Sequence, residues 1–486
     1  MRWTRAITTL GSLLAVVSAL GCEEVLPPPP SITVTVVTPA TGPLAGGTRV
    51  TITGTNFTDV TAVSIGGRAL GDRTMVSTTE ITGTTPAASV AGAADVLVAS
   101  SGGGSSGRCS GCFSYEPINA FAQPLATGFL HSCGLTSSGA AYCWGWNGIG
   151  QLGNGSTTTY SSIPVAVAGG FSFSALAAGF YHSCGLTSSG AAYCWGTNNY
   201  GELGDGSTTS SRTPVAVAGS LTFSTVAAGY RHTCGLTSAG AAYCWGDNSL
   251  TPHEVSGGLS FRALATSWSH TCGLTRVGVA YCWGDNSSGQ LGNGSTTGSA
   301  APVPVSGGLS FSALAAGGVV LSTPGLIPNV SELGYTCGLT SPGAAYCWGD
   351  NSFGQLGDDS TTNSSTPVAA AGGLSFRTLT AGYVHSCGLT NAGAAYCWGE
   401  NSNGQLGDGW TTSSSVPVAV SGGLSFDAVA AGAGHTCGLT SSGAAYCWGN
   451  NSEGQLGDGT TTSSSIPVAV APFIGGALAS TGAQER

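Results

Sequence analysis

Fourteen of the 17 cysteines and six of the seven histidines in this 486-residue chain lie in one recurring phrase. Its first copy runs from His131-Ser132-Cys133 to Tyr142-Cys143-Trp144-Gly145, and six more follow at a period of about fifty residues. The expected disulfides join Cys133 to Cys143, Cys184 to Cys194, Cys234 to Cys244, Cys272 to Cys282, Cys337 to Cys347, Cys387 to Cys397 and Cys437 to Cys447. His131, His182, His232, His270, His385 and His435 each precede the first cysteine of a copy by two positions, on the same face of a strand, so a histidine and two thiolates offer three zinc ligands per copy. Tyr335 replaces the histidine in the remaining copy, and an oxidising compartment converts thiols to disulfides, so a hydrogen-bonded structural histidine and no metal is the expectation.

Acidic residues recur in two loops, Asp247, Asp285, Asp350 and Glu400 after Trp-Gly, and Asp205, Asp358, Asp408 and Asp458 near Gly-Gln-Leu-Gly. Calcium loops place carboxylates at alternate positions, whereas Asp350 and Asp358 are eight apart and Asn154 and Asn293 replace the second acid elsewhere. Asx-Gly turn formation accounts for them. Cys109-Ser110-Gly111-Cys112 has neither a second CxxC nor a neighbouring histidine, and reads as a local disulfide ahead of a strand at 113–115. No phosphate loop or lysine nucleophile is present, and no Ser/His/Asp set stands apart from the repeats, so no catalytic residue, no enzyme and no cofactor is the expectation.

Positioning these residues falls to a hairpin. Ser137-Ser138-Gly139 is a three-residue turn with glycine where a positive φ costs least. Folding about Ser138 sets Cys133 opposite Cys143, Ser132 opposite Trp144 and Gly134 opposite Tyr142, which leaves each large ring a small neighbour to lie over. Leu135 and Ala141 share the cysteine face. Both faces are apolar, as in a sheet sandwiched between two others. A full unit at 173–219 reads as four strands, and seven such units make an all-β, seven-bladed β-propeller. A disulfide in each hairpin adds roughly 2–3 kcal/mol per blade. Residues 473–479 repeat the opening strand and are expected to add a strand at the seam.

Composition supports short strands over helices, with 80 Gly, 41% hydrophobic and only 7% charged residues. All 12 basic residues are Arg and the net charge is −10, which argues against nucleic acid and anionic membrane surfaces as partners. Arg2 and Arg5 precede an apolar run from Ile7 to Leu20, a signal peptide spanning 1–21. Ala19-Leu20-Gly21-Cys22 resembles a bacterial lipobox, making Cys22 the lipidated first residue; ordinary cleavage after Gly21 is the alternative. The expected location is then an outer-membrane or cell-surface lipoprotein, or the extracellular space, touching membrane only through a lipid. Without Cys22 the cysteines number sixteen, an even set for oxidative pairing. Residues 22–30 form a Pro-rich tether, and 31–117 alternate apolar and polar residues (Ile32, Val34, Val36; Val50, Ile52; Val63, Ile65; Val96, Val98) as an immunoglobulin-like β-sandwich.

Val37-Thr38-Pro39, Gly46-Gly47-Thr48, Val50-Thr51-Ile52-Thr53-Gly54, Asn56-Phe57 and Thr85-Pro86-Ala87 resemble the IPT/TIG domain. Residues 118–486, with their His-x-x-x-Leu-Thr, Gly-x-x-Tyr-x-Trp-Gly and Gly-Gln-Leu-Gly order, resemble the regulator of chromosome condensation repeat family. That resemblance implies a seven-bladed propeller. Exchange-factor members of the family dislodge a nucleotide from a small GTPase, which is a remote alternative for a secreted, disulfide-bearing chain.

Function is sought where the pattern breaks. A fourth unit spans only 38 positions from Cys234 to Cys272 and lacks Gly-Gln-Leu-Gly, whereas Cys272 to Cys337 spans 65. The added segment, with Val319, Val320, Leu321, Leu326 and Ile327, is either an apolar docking wedge or a neutral insertion folded into the gap left by the deletion, the second being the plainer account. Trp146, Trp268 and Trp410 stand outside the repeat positions, suiting either a ligand or burial between blades. The expected function is a non-enzymatic protein–protein interaction scaffold acting through its propeller face, with binding of cell-surface polysaccharide as the alternative.

Overall fold

A computed structural model describes residues 31–43, 48–86, 88, 92–101, 106–116, 121–122, 125–320 and 332–472. The expectations for the signal peptide, Cys22, the tether, Leu321, Leu326, Ile327 and the strand at 473–479 lie outside the described residues. Within them, regular structure is strand apart from one 3-10 turn at Ala371–Gly373.

Residues 32–116 form a sandwich of two sheets, one of four strands and one of five, closed over a core that includes Val37, Ile52, Ile65, Ile81, Val96 and Phe113. Two expectations need correction. The alternation Ile32, Val34, Val36 breaks at a bulge between Val34 and Val36, which turns Val36 outward at 46% exposure and buries Val37 instead. Cys109 and Cys112 do not precede the last strand but lie inside it, in Ser106–Glu116. They bridge a bulge whose Gly111 N–H is held by Asp95 Oδ1.

The remaining described residues make seven four-stranded antiparallel sheets, each continuous in sequence. Blades 1 to 7 span 126–166, 173–216, 225–254, 261–304, 311–369, 376–419 and 428–469. In blade 2 the strands are a (Phe173–Ala178), b (His182–Thr187), c (Ala192–Gly196) and d (Ser211–Ala216). The b–c hairpin has the expected register, Cys184 against Cys194, Ser183 against Trp195 and Gly185 against Tyr193. Gly190 takes the positive φ of its turn, +82°. Space over the central glycine, however, goes to the blade's own opening ring: a Cβ on Gly185 would meet Phe173, not the tyrosine.

All seven cross-strand pairs are disulfides. Cys133 bonds Cys143, Cys184 bonds Cys194, Cys234 bonds Cys244, Cys272 bonds Cys282, Cys337 bonds Cys347, Cys387 bonds Cys397 and Cys437 bonds Cys447, at Cα–Cα distances of 4.0–4.1 Å. The cysteine face of each blade packs on the tryptophan of the next. Cys133, Leu135 and Cys143 meet Phe173 and Trp195, Cys272 and Cys282 meet Phe311 and Trp348, and Cys337 and Cys347 meet Phe376 and Trp398. At the last boundary Cys437 and Cys447 meet Phe121 and Trp144. The ring therefore closes with the contact used at every other boundary. Phe121 N–H donates to Gly443 O at 2.9 Å, as Phe173 N–H does to Gly139 O at 2.8 Å.

The shortened unit is blade 3, not a fourth unit. Its strands c and d are joined by Asp247-Asn248, both at positive φ (+49° and +76°), where the other blades carry the Gly-Gln-Leu-Gly loop or its Gly-Glu-Leu-Gly form in blade 2. In an antiparallel meander the a–b turns and c–d loops share one face of the ring. The short loop of blade 3 and the lengthened a–b hairpin of blade 5 (Phe311–Val320 with Glu332–Thr340) therefore break the same face.

Candidate functional site

Around the hub the histidines form a belt. The Nε2 of His131, His182, His232, His270, His385 and His435 lies 2.8–3.0 Å from the hydroxyl of Ser183, Thr233, Thr271, Thr336, Thr436 and Ser132 on the next blade. Five of those hydroxyls donate onward to a backbone carbonyl at the boundary, for instance Ser183 to Gln151 O at 3.0 Å and Thr233 to Glu202 O at 2.9 Å. A hydroxyl that donates to a carbonyl must accept from the imidazole, so these five rings carry a proton on Nε2. Burial pushes His131, His182, His270, His385 and His435 down to about 3. Tyr335 continues the belt differently, its hydroxyl donating to His385 O at 2.5 Å. With the thiols paired and the imidazoles bonded between blades, the belt is architecture. Among the described residues no group of three His, Cys, Asp or Glu is placed to hold a metal ion.

The acidic loops are closed by amides. Asn198 Nδ2 donates to Asp205 Oδ1 at 3.1 Å while its Oδ1 accepts Leu203 N–H at 2.9 Å, and Asn351 serves Asp358 and Leu356 in the same way. Each loop presents one carbonyl to the next blade. The indole N–H of Trp195, Trp245, Trp348, Trp398, Trp448 and Trp144 donates to the carbonyl of Gln151, Glu202, Gln290, Gln355, Gln405 and Gln455 at 2.9–3.0 Å. The following leucine is fully buried at all six boundaries.

Between blades 3 and 4 that loop is absent. A cleft of about 670 Å³ stands in its place, lined by His232, Cys244, Asp247, Glu254, Thr271 and Trp283 among others. Trp283 is 9% exposed where its six counterparts are at 0%, and its indole N–H meets no protein acceptor among the described residues. His232 Nδ1 faces Asp247 at 3.7 Å. Burial lowers the His232 pKa and the Asp247 charge opposes that shift.

Inward from the cleft the same face carries aromatic rings at the residue after the glycine that ends strand a, or after Ser267 in blade 4. Phe129 stacks on Phe180 at 4.1 Å, Phe180 meets Tyr230, Trp268 and Tyr383 at 4.6–5.2 Å, and Tyr230 stacks on Trp268 at 3.6 Å. Arg231 lies over Tyr200 at 4.1 Å and Tyr230 at 4.8 Å, and the Asp247 N–H donates to Arg231 O at 2.9 Å, so the patch runs outward to the cleft. Of the residues singled out in the sequence, Trp268 is in this cluster and Trp146 joins it through Tyr181 at 5.2 Å. Val319 pairs with Leu333 and Val320 with Glu332 on the lengthened hairpin, whose Gly317 and Gly318 lie beside Trp268 and Tyr383. Trp410 stands apart on the c–d loop of blade 6, 71% exposed. Phe129, Phe180, Tyr230 and Tyr383 were missed, although the signal was there: two positions before the histidine the repeat is aromatic in five blades and Ala433 in the seventh.

Two models of the Regulator of chromosome condensation (RCC1) repeat match the chain, one over 125–151, 166–202, 223–250, 261–290, 376–405 and 426–455, the other over 189–236, 278–319, 342–389, 392–439 and 442–479. Together they cover well over half of it. The IPT/TIG domain matches 32–115. The human probable E3 ubiquitin-protein ligase HERC4 is 40% identical over 82 residues, 16% of this chain and 8% of that protein. The ultraviolet-B receptor UVR8 of Arabidopsis thaliana is 38% identical over 84 residues, 17% of this chain and 19% of its own. The matches thus span less than a fifth of either relative. Among solved structures, yeast RCC1 (Prp20) bound to Kap60 superposes with a TM-score of 0.60 at 22% identity, covering 73% of this chain and 85% of that one. Human WBSCR16 gives 0.60 at 19% identity, covering 68% and 94%.

Proposed function

Starting from a chain that belongs to the RCC1 repeat family and carries an IPT/TIG domain ahead of its propeller, we propose a non-enzymatic protein-binding scaffold, exported and held at the cell envelope by a lipid on Cys22. The observation that carries the binding reading is the aromatic cluster on the irregular face, in which half-buried Phe129, Tyr230, Trp268 and Tyr383 surround a buried Phe180. The tryptophans of the repeat itself are buried between blades, so this group is not needed to build them. Aromatic residues beside an arginine are the side chains that dominate protein interfaces. Protein rather than sugar is favoured because Tyr230 and Trp268 cover each other's faces, leaving edges and a contoured apolar surface. Yeast Prp20, which has a similar fold, has been seen bound to Kap60, in keeping with a protein-binding role here.

The test is capture of proteins from cell-surface extract by the full chain and by a Trp146→Ala/Trp268→Ala variant with an unchanged far-UV spectrum. Loss of a hot spot weakens capture by about 30-fold or more. Equal capture by both contradicts the aromatic face. For the anchor, Cys22→Ser is expected to move the protein from the membrane fraction to the soluble one; an unchanged distribution contradicts lipidation.

A further inference from the structure

The six closed boundaries state what the seventh lacks. At each, a loop residue's carbonyl accepts two donors from the following blade, the indole N–H and the Ser/Thr hydroxyl, as Gln405 O does from Trp448 and Thr436, both at 2.9 Å. The next residue, a leucine, is buried, and the glycine after it lies flat on the indole: a Cβ on Gly407 would come within 2.6 Å of Trp448 Nε1. Four positions beyond the residue that offers the carbonyl, a backbone N–H reaches strand d of the following blade, Gly409 to Ser465 O at 2.9 Å and Gly155 to Arg212 O at 2.9 Å.

At the cleft the receiving half of this arrangement is complete. Trp283 Nε1 and Thr271 Oγ1 occupy the two donor positions, Ala300 in the cleft wall stands at the position of Ser465 and Arg212, and the seat for the leucine is open. Thr271 Oγ1 lies 3.0 Å from His232 Nε2, the pairing in which its counterparts turn their own proton to a loop carbonyl. We propose that this cleft is a docking site for a turn-forming peptide segment of a partner protein, carrying x-Leu-Gly-x-Gly preceded by an Asn four residues before x. Such a segment supplies one carbonyl to Trp283 and Thr271, a leucine to the seat, a glycine face to the indole and one N–H to Ala300 O. A second copy of this chain is not the occupant, because its own six loops are already buried between its blades. The proposal rests on the reading of this face as a protein-binding surface, which the cleft adjoins through Arg231 and Tyr200.

The probe is the nonapeptide of residues 401–409, Asn-Ser-Asn-Gly-Gln-Leu-Gly-Asp-Gly, titrated into the full chain carrying ¹⁵N-indole tryptophan, with Trp283→Phe identifying the Trp283 resonance. The expected result is a saturable shift of Trp283 with a Kd of about 1 mM or tighter. Leu406→Asp in the peptide weakens binding at least about tenfold, and Trp283→Phe in the protein, followed by isothermal calorimetry, about fivefold. A second variant replaces Asp247-Asn248 with residues 197–210 of blade 2, so that the seat is filled in cis. It is expected to melt no lower than the parent and to lose peptide binding. No Trp283 shift at about 2 mM peptide overturns the proposal, as does undiminished binding by the filled variant. Binding that appears only after deletion of residues 321–331 also overturns it, since the chain's own segment is then the occupant. Failure here with capture still dependent on Trp146 and Trp268 leaves the aromatic face standing.

Discussion

The boundary between blades 2 and 3 and the boundary between blades 3 and 4 are built from the same parts less one loop. At the first, Trp245 N–H and Thr233 share the Glu202 carbonyl and Leu203 is buried beside the cysteines of blade 2. At the second, Trp283 and Thr271 keep their places while the carbonyl and the leucine are gone, and His232 and Cys244 gain a solvent-facing edge. The disulfide, the histidine link and the indole packing persist without the loop. Blade-to-blade cohesion in this ring therefore has two separable layers, an inner belt of His–Ser/Thr bonds and an outer one of loop carbonyls. Where the inner bond is missing, Tyr335 fills its place, whereas the missing outer loop leaves a cleft, so the outer layer is the one that an outside segment can complete.

Acidification breaks the inner layer and carries the largest effect. The five histidines held at about 3 in the fold titrate near 6.5 when unfolded. Their folded pKa is depressed, so the unfolded chain binds more protons below pH 6.5. Their stabilisation is present in full above that value and is lost as pH falls towards 3, by about 1.4 kcal/mol per pH unit for each ring. Thermal melts between pH 7 and 4 are expected to drop steeply. His385→Gln should flatten the slope by one ring's share and His232→Gln by less, because Asp247 already favours its charged form; identical slopes in both variants break the comparison.

Removing a bridge is the next largest perturbation. Cys387→Ala/Cys397→Ala is expected to cost roughly 2–3 kcal/mol in denaturant unfolding. Under partial reduction the Cys234–Cys244 pair, which borders the cleft, should be alkylated before the fully buried Cys387–Cys397 pair, as read by peptide mass mapping. The smallest effect separates the two boundaries most sharply. Trp398→Phe leaves the buried Gln355 carbonyl short of a donor and costs about 1–3 kcal/mol, whereas Trp283→Phe removes an N–H that borders the open cleft and costs under about 0.5 kcal/mol. Equal costs would show that the loop carbonyl contributes nothing at closed boundaries.

The repeat made the ring, the hairpin register and the cysteine pairing legible, because a period-two strand folded about Ser138 allows only one facing partner for Cys133. The cleft was legible as a shortened interval, from Cys234 to Cys272, but not as a site. Its meaning lies in Trp283 and Thr271, which match their counterparts in sequence and differ only in what faces them. The aromatic cluster was harder still. Tyr383 of blade 6 is far in the chain from Phe129 and Phe180 of blades 1 and 2, and closure of the ring brings it within 5.5 Å of both. Val36 and the Cys109–Cys112 bulge went astray for a local reason, since one extra residue in a strand reverses every face beyond it.

The most direct test of the two-layer account is hydrogen–deuterium exchange at the tryptophan indoles, followed by ¹⁵N-edited NMR on the full chain at neutral pH. Trp144, Trp195, Trp245, Trp348, Trp398 and Trp448, each donating to a buried carbonyl, are expected to exchange only through opening of the ring. Trp283 is expected to exchange orders of magnitude faster. Protection of Trp283 equal to that of the other six would mean that its N–H is bonded and the seventh boundary is closed, and would contradict the account.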